Sequence, residues 1–356
     1  MSPQHQQAII LPSARAPFAL GSRGVPAPAK GEVLIKILSA ALNPISWMQR
    51  DYNLLIPDDF PTVLGSDLAG VVEALGEGVE GFAKGDRVFA QSLSGAFQQY
   101  FALPAGALIR IPKSTSFDEA ATFPSTFTPA CVGLLAPAPI GLALNPTFSW
   151  DKPQQGESAL VIGAATSVGQ FAIQLLRFLG FTRIVAYASK AHFSYLTQLG
   201  ATACIDRAEV PLDALPAHPA LIPPVKVVYD AIGQLNAAYD CVSEGGCVAT
   251  VLPLTVLDRE GKNIMLVRVQ GYYVGPDVVK PRRDDIVGYS AAPEHTAFGR
   301  LIIKNLPEML EKGVVVPNRV EVLPNGLAGI VDGLERMKNG GVSGVKLVAH
   351  PQDPVA

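Results

Sequence analysis

The chain has 356 residues, of which 49% are hydrophobic and 17% are charged, and its formal net charge is −3. This much apolar surface excludes a disordered protein, because its burial offsets the entropy lost when the chain orders. The weak negative charge and the absence of a Lys/Arg cluster argue against a nucleic-acid or membrane-surface partner, and the length predicts two domains.

The first third of the chain has the pattern of short strands separated by turns. Apolar runs predict strands over residues 32–38 and 69–75. Gly85-Asp86 predicts a turn that leads into a further strand at 88–90. Closely spaced strands of this kind predict a small barrel-like β domain.

Residues 120–150 carry no charge and are numerous enough to span a bilayer. The segment nevertheless contains five prolines, at positions 124, 129, 137, 139 and 146. Each interior proline removes a backbone hydrogen bond that lipid cannot replace. The sequence therefore predicts an apolar loop or groove wall here, and not a membrane span.

The chain has four cysteines, none of which forms a C-x-x-C pair, and an amino terminus without the features of a signal peptide. So few cysteines do not make a disulfide scaffold, and their spacing gives no support for a zinc site or a redox pair. We therefore expect reduced thiols in a cytoplasmic protein. These cysteines are Cys131, Cys204, Cys241 and Cys247.

From about residue 157 strands alternate with helices. A buried strand is predicted over 158–162, and a helix follows whose apolar residues recur at helical spacing until Gly180. The residues of that stripe are Val168, Phe171, Ala172, Leu175, Leu176 and Leu179. Further strands are predicted over 184–187, 203–205, 225–229 and 246–251. Repeated βαβ units predict a parallel, doubly wound sheet.

The turn between the strand at 158–162 and its helix has the context of a dinucleotide-binding fingerprint. Small residues let a pyrophosphate approach the backbone, and the amides of a helix amino terminus favour its negative charge. A tight structural turn is the alternative interpretation. The candidate cofactor contacts are Gly163, Ala165, Thr166, Ser167, Val168 and Gly169.

The end of the next strand favours NADPH over NADH. No Asp or Glu is present there to bind a ribose 2′-hydroxyl, whereas Ser189 and Lys190 offer a hydroxyl and a cation to a 2′-phosphate. His192 is a further candidate contact. The alternative is a solvated turn in which the lysine has no role in binding.

The tail is predicted to hold helices near 296–311 and 327–338 and a last strand at 345–348. This return to helix and strand after the βαβ block allows the tail to rejoin the first domain. The apolar run at 263–267 is compatible with an interior strand or with a dimer edge, so the sequence leaves monomer and homodimer open.

The order of these motifs resembles the medium-chain dehydrogenase/reductase superfamily. The matching segments are 31–35, Leu42-Asn43-Pro44, 64–72, 85–88 and the turn at 163–169. The resemblance implies an α/β protein in which a GroES-like β-barrel substrate domain, residues 1–125 plus 296–356, surrounds an inserted Rossmann domain with a doubly wound parallel sheet, residues 126–295.

The resemblance also bears on metal and on activity. Zinc-dependent members place Cys, His and Glu at positions that match Asn43, Ser66 and Asp67, so we expect no metal. Among zinc-free branches the chain is similar to fungal trans-acting enoyl reductases that assist polyketide synthases. This implies NADPH-dependent reduction of the C=C bond of an enone or enoyl thioester. A quinone oxidoreductase and a non-catalytic nucleotide-binding or interaction protein remain alternatives.

The family comparison implies the remaining site residues. Tyr52 is the candidate proton donor, although an aromatic ring packed on a loop is the alternative that explains it somewhat better. Met48 and Pro129 depart from the Lys or Tyr and the Thr that relatives often carry. The candidate catalytic residues are Tyr52, Asn43 and Thr128; the candidate substrate contacts are Ser66, Phe127, Tyr272 and Tyr273; further candidate cofactor contacts are Leu252 and Lys346.

Overall fold

The structure is a computed structural model that describes residues 3–53, 55–56, 60–251, 256–271 and 293–354. The described chain divides into two units. The first contains the residues up to Ser125, those from Pro293 to Pro307, and those from Pro317 onward. The second contains Thr126–Gly271 and Glu308–Val316.

The elements are numbered in chain order. The strands are β1 His5–Leu11, β2 Ala19–Gly24, β3 Glu32–Ala41, β4 Thr62–Val63, β5 Asp67–Leu75, β6 Arg87–Gln91, β7 Tyr100–Pro104, β8 Ile109–Arg110, β9 Ser158–Ile162, β10 Arg183–Ala188, β11 Ala203–Asp206, β12 Val225–Asp230, β13 Val242–Thr250, β14 Met265–Arg268, β15 Val320–Val322 and β16 Lys346–Ala349. The helices are α1 Pro44–Tyr52, α2 Phe117–Ala121, α3 Pro124–Leu135, α4 Ser167–Leu179, α5 Phe193–Leu199, α6 Leu235–Cys241, α7 Pro293–Glu311 and α8 Gly329–Lys338.

The first unit is built around β3, which pairs antiparallel with β5, β7 and β16. The resulting sheet has the order β15-β16-β3-β5-β6-β8, with β7 on the other side of part of β3. A second sheet has the order β2-β1-β4. Because β16 pairs with β3, the carboxyl-terminal segment and the first third of the chain share one sheet. The predicted strands at 32–38 and 69–75 are confirmed.

The second unit contains a parallel six-stranded sheet with the order β11-β10-β9-β12-β13-β14. The order reverses between β9 and β12, which makes their carboxyl ends the switch point where ligands of such sheets bind. Val185 and Val228 lie in the core of this sheet without solvent exposure. The predicted doubly wound sheet is confirmed. The run at 263–267 contributes to β14, the last strand of this sheet within the described residues.

Helix α4 forms where the apolar stripe predicts it. Phe171, Leu175 and Leu179 are buried on this helix, and Phe171 meets the ring of Phe127 edge-on at 5.6 Å. Gly180 ends the helix with φ +92°, a left-handed conformation that glycine adopts without steric cost.

Of the two expectations for residues 120–150, the loop is wrong for its first part, because Pro124–Leu135 form helix α3, and the groove wall stays a prediction. Pro124 stands at the first helical position, where the N–H that proline lacks has no partner within the helix. Pro129 is accommodated inside the helix. No helix within the described ranges is long and apolar enough to cross a membrane.

Candidate functional site

Two glycines of the turn after β9 lie in close contact with neighbouring segments of the second unit. Gly163 has φ +75°, and a Cβ atom there would lie 2.6 Å from Ile232 Cγ2. A Cβ at Gly169 would lie 2.4 Å from the carbonyl oxygen of Gly163 and 2.8 Å from Ala164 Cα. Both positions therefore require glycine, one for conformation and one for space. These are the roles that glycines play in a dinucleotide-binding turn.

Thr166 connects this turn to helix α4. Its hydroxyl donates to the carbonyl of Gly163 at 2.8 Å and accepts from the N–H of Gly169 at 3.0 Å. This is the geometry of an N-cap, which satisfies one of the free amides at a helix start. The fully buried amide of Gln170 donates to the carbonyl of Ala165 at 2.9 Å and holds the turn from within.

Ala165, Thr166, Ser167 and Val168 are half-buried at the amino terminus of α4. Because α4 is 13 residues long and starts at the carboxyl edge of the sheet, its terminus offers backbone amides and a positive dipole end to an anion. The turn therefore fits the pyrophosphate of a nicotinamide dinucleotide.

A hydroxyl and two cations lie at the ends of β10 and β11. Ser189 Oγ accepts a hydrogen bond from Arg207 Nε at 2.7 Å, and the backbone N–H of Arg207 donates to Ala188 at 3.0 Å. Lys190 is exposed, with its Nζ 3.9 Å from Glu209 Oε1. His192 is half-buried, and its backbone N–H donates to the carbonyl of Ser189 at 3.0 Å.

Asp230 ends β12 at the switch point and has no solvent exposure. Its carboxylate accepts from the N–H of Ile232 at 3.2 Å and from the hydroxyl of Thr250 at 3.0 Å. Burial raises the pKa of Asp230 above its usual 3.8, and these hydrogen bonds, with others from the backbone at Gln234 and Gly233, oppose the shift. Asp230 thereby holds the loop whose Ile232 packs against Gly163.

A second polar cluster lies in the first unit and joins Asn43, Asp67 and Lys346. The side-chain N–H of Asn43 donates to Asp67 Oδ2 at 2.8 Å, and its Oδ1 accepts from the ammonium of Lys346. Lys346 Nζ also lies 3.4 Å from Asp67 Oδ2. The three residues are 4%, 0% and 3% exposed. Burial lowers the pKa of Lys346, and the charge of Asp67 opposes this shift.

The other oxygen of Asp67 is also engaged. Ser125 donates to Asp67 Oδ1 from its backbone N–H at 2.9 Å and from its hydroxyl at 2.5 Å. The Gln91 side chain donates to the Ser125 hydroxyl at 3.3 Å. A buried carboxylate is stable only when its charge and lone pairs are satisfied, and this arrangement meets both needs for Asp67.

The structure does not support cofactor contact for Lys346. Its ammonium is buried and directed at Asn43 and Asp67, within the first unit. It also does not support Phe127 as a surface for substrate, because the ring is 1% exposed and packs on Phe171. Both residues were predicted from the resemblance to the family, and a matching position in the sequence does not show where the side chain points.

The remaining predicted residues have varied settings. Tyr52 is 58% exposed at the end of α1, with its ring 6.1 Å from that of Trp47. Ser66 is buried beside the polar cluster residue Asp67, and Thr128 is buried on α3 in the second unit. Leu252, Tyr272 and Tyr273 lie outside the described residues.

Sequence reasoning did not single out several polar residues of these sites. Arg207 follows β11, one strand beyond Lys190, and a cation at that strand end was a signal that could have been found. Asp230 had the comparable signal of an acidic residue closing a buried strand. Ser125 and Gln91 offered no such signal, because their role depends on contacts distant in sequence.

Comparisons with known proteins follow the same division of the chain. Residues 29–113 match the family model of the alcohol dehydrogenase GroES-like domain, and residues 167–253 match that of the zinc-binding dehydrogenases. The trans-enoyl reductase tndF of Aspergillus flavipes is 34% identical over 368 residues, covering 98% of this chain and 99% of the relative. The chain belongs to the medium-chain dehydrogenase/reductase family. This confirms the resemblance seen in the sequence.

Other members of the family are similar over different spans. The trans-enoyl reductase tazE of Aspergillus terreus is 38% identical over 218 residues, covering 58% of this chain and 69% of tazE. Among solved structures, the human synaptic vesicle membrane protein VAT-1 homolog-like protein has a TM-score of 0.76 at 22% identity and covers 99% of both chains. The CurK enoyl reductase has a TM-score of 0.75 at 20% identity, covering 98% of this chain and 99% of its own. At these identities the solved structures show the shared fold, a GroES-like unit and a Rossmann unit.

The zinc ion of many medium-chain dehydrogenase/reductase members does not fit the residues present here. The positions that match its ligands hold Asn43, Ser66 and Asp67, and the Asp67 carboxylate is already bound by the Lys346 ammonium. Neutral amide and hydroxyl groups are poor substitutes for thiolate and imidazole on zinc. In the parts of the chain that the structure describes, no group of three or more His, Cys, Asp or Glu side chains is arranged to hold a metal ion.

Proposed function

We propose that this chain is an NADPH-dependent enoyl reductase that reduces the C=C bond of an α,β-unsaturated carbonyl substrate without a metal ion. The observation that carries the proposal is the 34% identity to the trans-enoyl reductase tndF along 98% of the chain. The turn from Gly163 to Gly169 supports a nicotinamide dinucleotide, because its glycines allow the close strand-to-helix packing of such a turn, and helix α4 begins there with backbone amides that can meet a pyrophosphate.

The preference for NADPH rests on Ser189, Lys190 and Arg207. A 2′-phosphate is recognised by hydroxyl donors and cations, and arginine suits phosphate because of its planar fork of donors. Arg207 and Ser189 are already in contact at 2.7 Å. Lys190 lies 3.9 Å from Glu209, but both side chains are more than two-thirds exposed, so this pair is weak and leaves the lysine available.

When bound, NADPH supplies the hydride that reduces the β carbon of the substrate. The residues of this chain then have two tasks. Asn43 donates a hydrogen bond to the substrate carbonyl oxygen as negative charge develops on it. Tyr52, whose ring is 58% exposed, donates the proton that the α carbon needs. Ser66, in the same unit as Asn43, is a further polar contact.

The substrate is an enoyl thioester or enone, and a polyketide synthase that presents such a thioester is the proposed partner. The relatives tndF and tazE are both named as trans-enoyl reductases, which supports an enzyme that acts on another protein's product. The four cysteines are free, which fits a reducing compartment, and we propose that the protein acts in the cytoplasm.

The test is NADPH oxidation with a panel of an enoyl thioester of N-acetylcysteamine, a simple enone and a quinone, with metal analysis of the same sample. We expect turnover of the enoyl thioester, unchanged by a chelator. The Tyr52→Phe variant should bind NADPH normally but turn over more slowly. Turnover of the quinone alone, or NADPH binding without any turnover, would overturn the proposal in favour of a quinone reductase or a non-catalytic protein.

A further inference from the structure

The amide of Asn43 lies between two buried charges of opposite sign. Its oxygen accepts from the Lys346 ammonium, and its nitrogen donates to Asp67 Oδ2 at 2.8 Å. The two charged groups lie 3.4 Å apart and are 3% and 0% exposed, so water does not screen them. Asn43 and Lys346 are 303 residues apart in the sequence.

These contacts determine which way the amide faces. An ammonium group only donates hydrogen bonds, and an ionised carboxylate only accepts them. A flipped amide would place its NH₂ against the ammonium and its oxygen against the carboxylate, which leaves buried groups unsatisfied. The amide is therefore held in one of its two orientations. One N–H of the Asn43 amide donates to Asp67, and the second N–H is not used within the cluster. Because the amide is planar, fixing its orientation also fixes the direction of this second N–H.

We propose that Lys346 is a positioning residue, which holds the Asn43 amide in the orientation that directs its second N–H toward the substrate carbonyl oxygen. This inference rests on the proposed function, in which Asn43 contacts that oxygen. Lys346 does not itself touch substrate or cofactor. It acts through its contact with Asn43, and Asp67 completes the arrangement from the other side.

A role in stability alone would not account for this arrangement. Replacing a buried ion pair by apolar residues of similar volume is often neutral or stabilising, whereas removing one partner is costly. Hydrogen-bond donors aimed at a developing oxyanion act strongly because they are oriented before the reaction begins. The buried ion pair of Lys346 and Asp67 can orient the Asn43 amide through hydrogen bonds. An apolar pair of the same volume could not do this.

The test compares Lys346→Met, which leaves Asp67 unpaired, with the double variant Asp67→Asn/Lys346→Met, which buries no charge. We expect Lys346→Met to lower both the melting temperature and kcat. The double variant should regain most of the melting temperature while kcat for the enoyl thioester stays about tenfold or more below wild type. KM for NADPH should change by less than about twofold.

Lys84→Met is the matched control, because Lys84 pairs with Glu73 at 2.7 Å in the same unit but is 65% exposed. It should leave kcat, KM and melting temperature unchanged. Recovery of wild-type kcat by the double variant would overturn the proposal, since the lysine would then serve stability alone. A loss confined to KM for NADPH would also overturn it, since Lys346 would then serve the cofactor.

A structural measurement separates this inference from the proposed function. The side-chain amide resonances of Asn43, assigned by their loss in Asn43→Ala, should exchange slowly with solvent in the wild type and much faster in Lys346→Met, which keeps Asp67 as the acceptor of the amide. Equal exchange in both proteins would overturn the positioning role. If the wild type showed no enoyl reduction, the proposed function would fail while this measurement still decided whether Lys346 orients Asn43.

Discussion

Ser189 and Arg207 are joined by a hydrogen bond of 2.7 Å although 18 residues separate them. The bond forms because β10 and β11 are parallel neighbours, with Ala188 opposite Asp206, so the residues that follow each strand meet at the same edge. This edge carries the adenosine ribose in dinucleotide-binding sheets. The pair places a guanidinium beside a hydroxyl where a 2′-phosphate would lie.

The first prediction concerns this pair and Lys190. Lys190→Ala and Arg207→Ala should each weaken NADPH binding about tenfold or more and leave NADH binding nearly unchanged, because only NADPH carries the 2′-phosphate. Dissociation constants from fluorescence titration of both cofactors give the ratio. Lys226→Ala is the control, since Lys226 lies near the start of β12 and pairs with Glu157 at 2.9 Å. Equal losses for NADPH and NADH would contradict the prediction.

The second prediction concerns Gly169. Alanine there would put a Cβ 2.4 Å from the Gly163 carbonyl oxygen, and that neighbour is backbone which cannot rotate away. We expect Gly169→Ala to lower the free energy of unfolding by about 1–3 kcal/mol and to weaken NADPH binding, because the turn must open. Gly106→Ala is the control, since no atom lies within 4 Å of a Cβ there. Urea denaturation measures the free energy of unfolding, and cofactor titration measures the dissociation constant for NADPH. If both were unchanged in Gly169→Ala, the turn would have room for a Cβ atom, and the prediction would be wrong.

The third prediction concerns the Thr166 hydroxyl, which caps helix α4 and also donates to Gly163. Thr166→Val keeps the shape of the side chain but loses both hydrogen bonds, so it should destabilise the protein by about 1–2 kcal/mol. Thr166→Ser should retain most of the stability because it keeps the hydroxyl. Chemical denaturation compares the two variants, and a larger loss in Thr166→Ser than in Thr166→Val would assign the effect to the methyl group instead.

Local patterns were sufficient for much of the second unit. The strand at Ser158–Ile162 and helix α4 were predictable because each buries residues at a regular spacing. Helix α3 was not, since it is apolar on nearly all sides and shows no stripe, and its prolines indicated a loop. A proline at the first helical position is compatible with a helix, and burial supplied the remaining stability.

The polar cluster of the first unit was only partly predictable. Asn43 could be found from its short motif, but its contact with Lys346 joins residues 303 positions apart. Such a contact depends on β16 returning to pair with β3, which no local pattern near either residue indicates. The family motif therefore located Asn43 in the sequence, but only the structure shows which groups its side chain contacts.

The last prediction concerns Asp230, whose pKa burial raises above its usual 3.8. Because the folded protein holds this proton more tightly than the unfolded chain does, the folded state binds more protons between the two pKa values, and stability falls as the pH rises through that window. Asp230→Asn removes the titration, and its amide can still accept from Ile232 N–H and donate to Thr250. The variant should therefore gain stability relative to wild type as the pH rises from about 4.5 to 7, as urea midpoints at both values would measure. A difference that stays constant would mean that the hydrogen bonds to the carboxylate balance its burial, and one that grows toward acid would mean that they outweigh it.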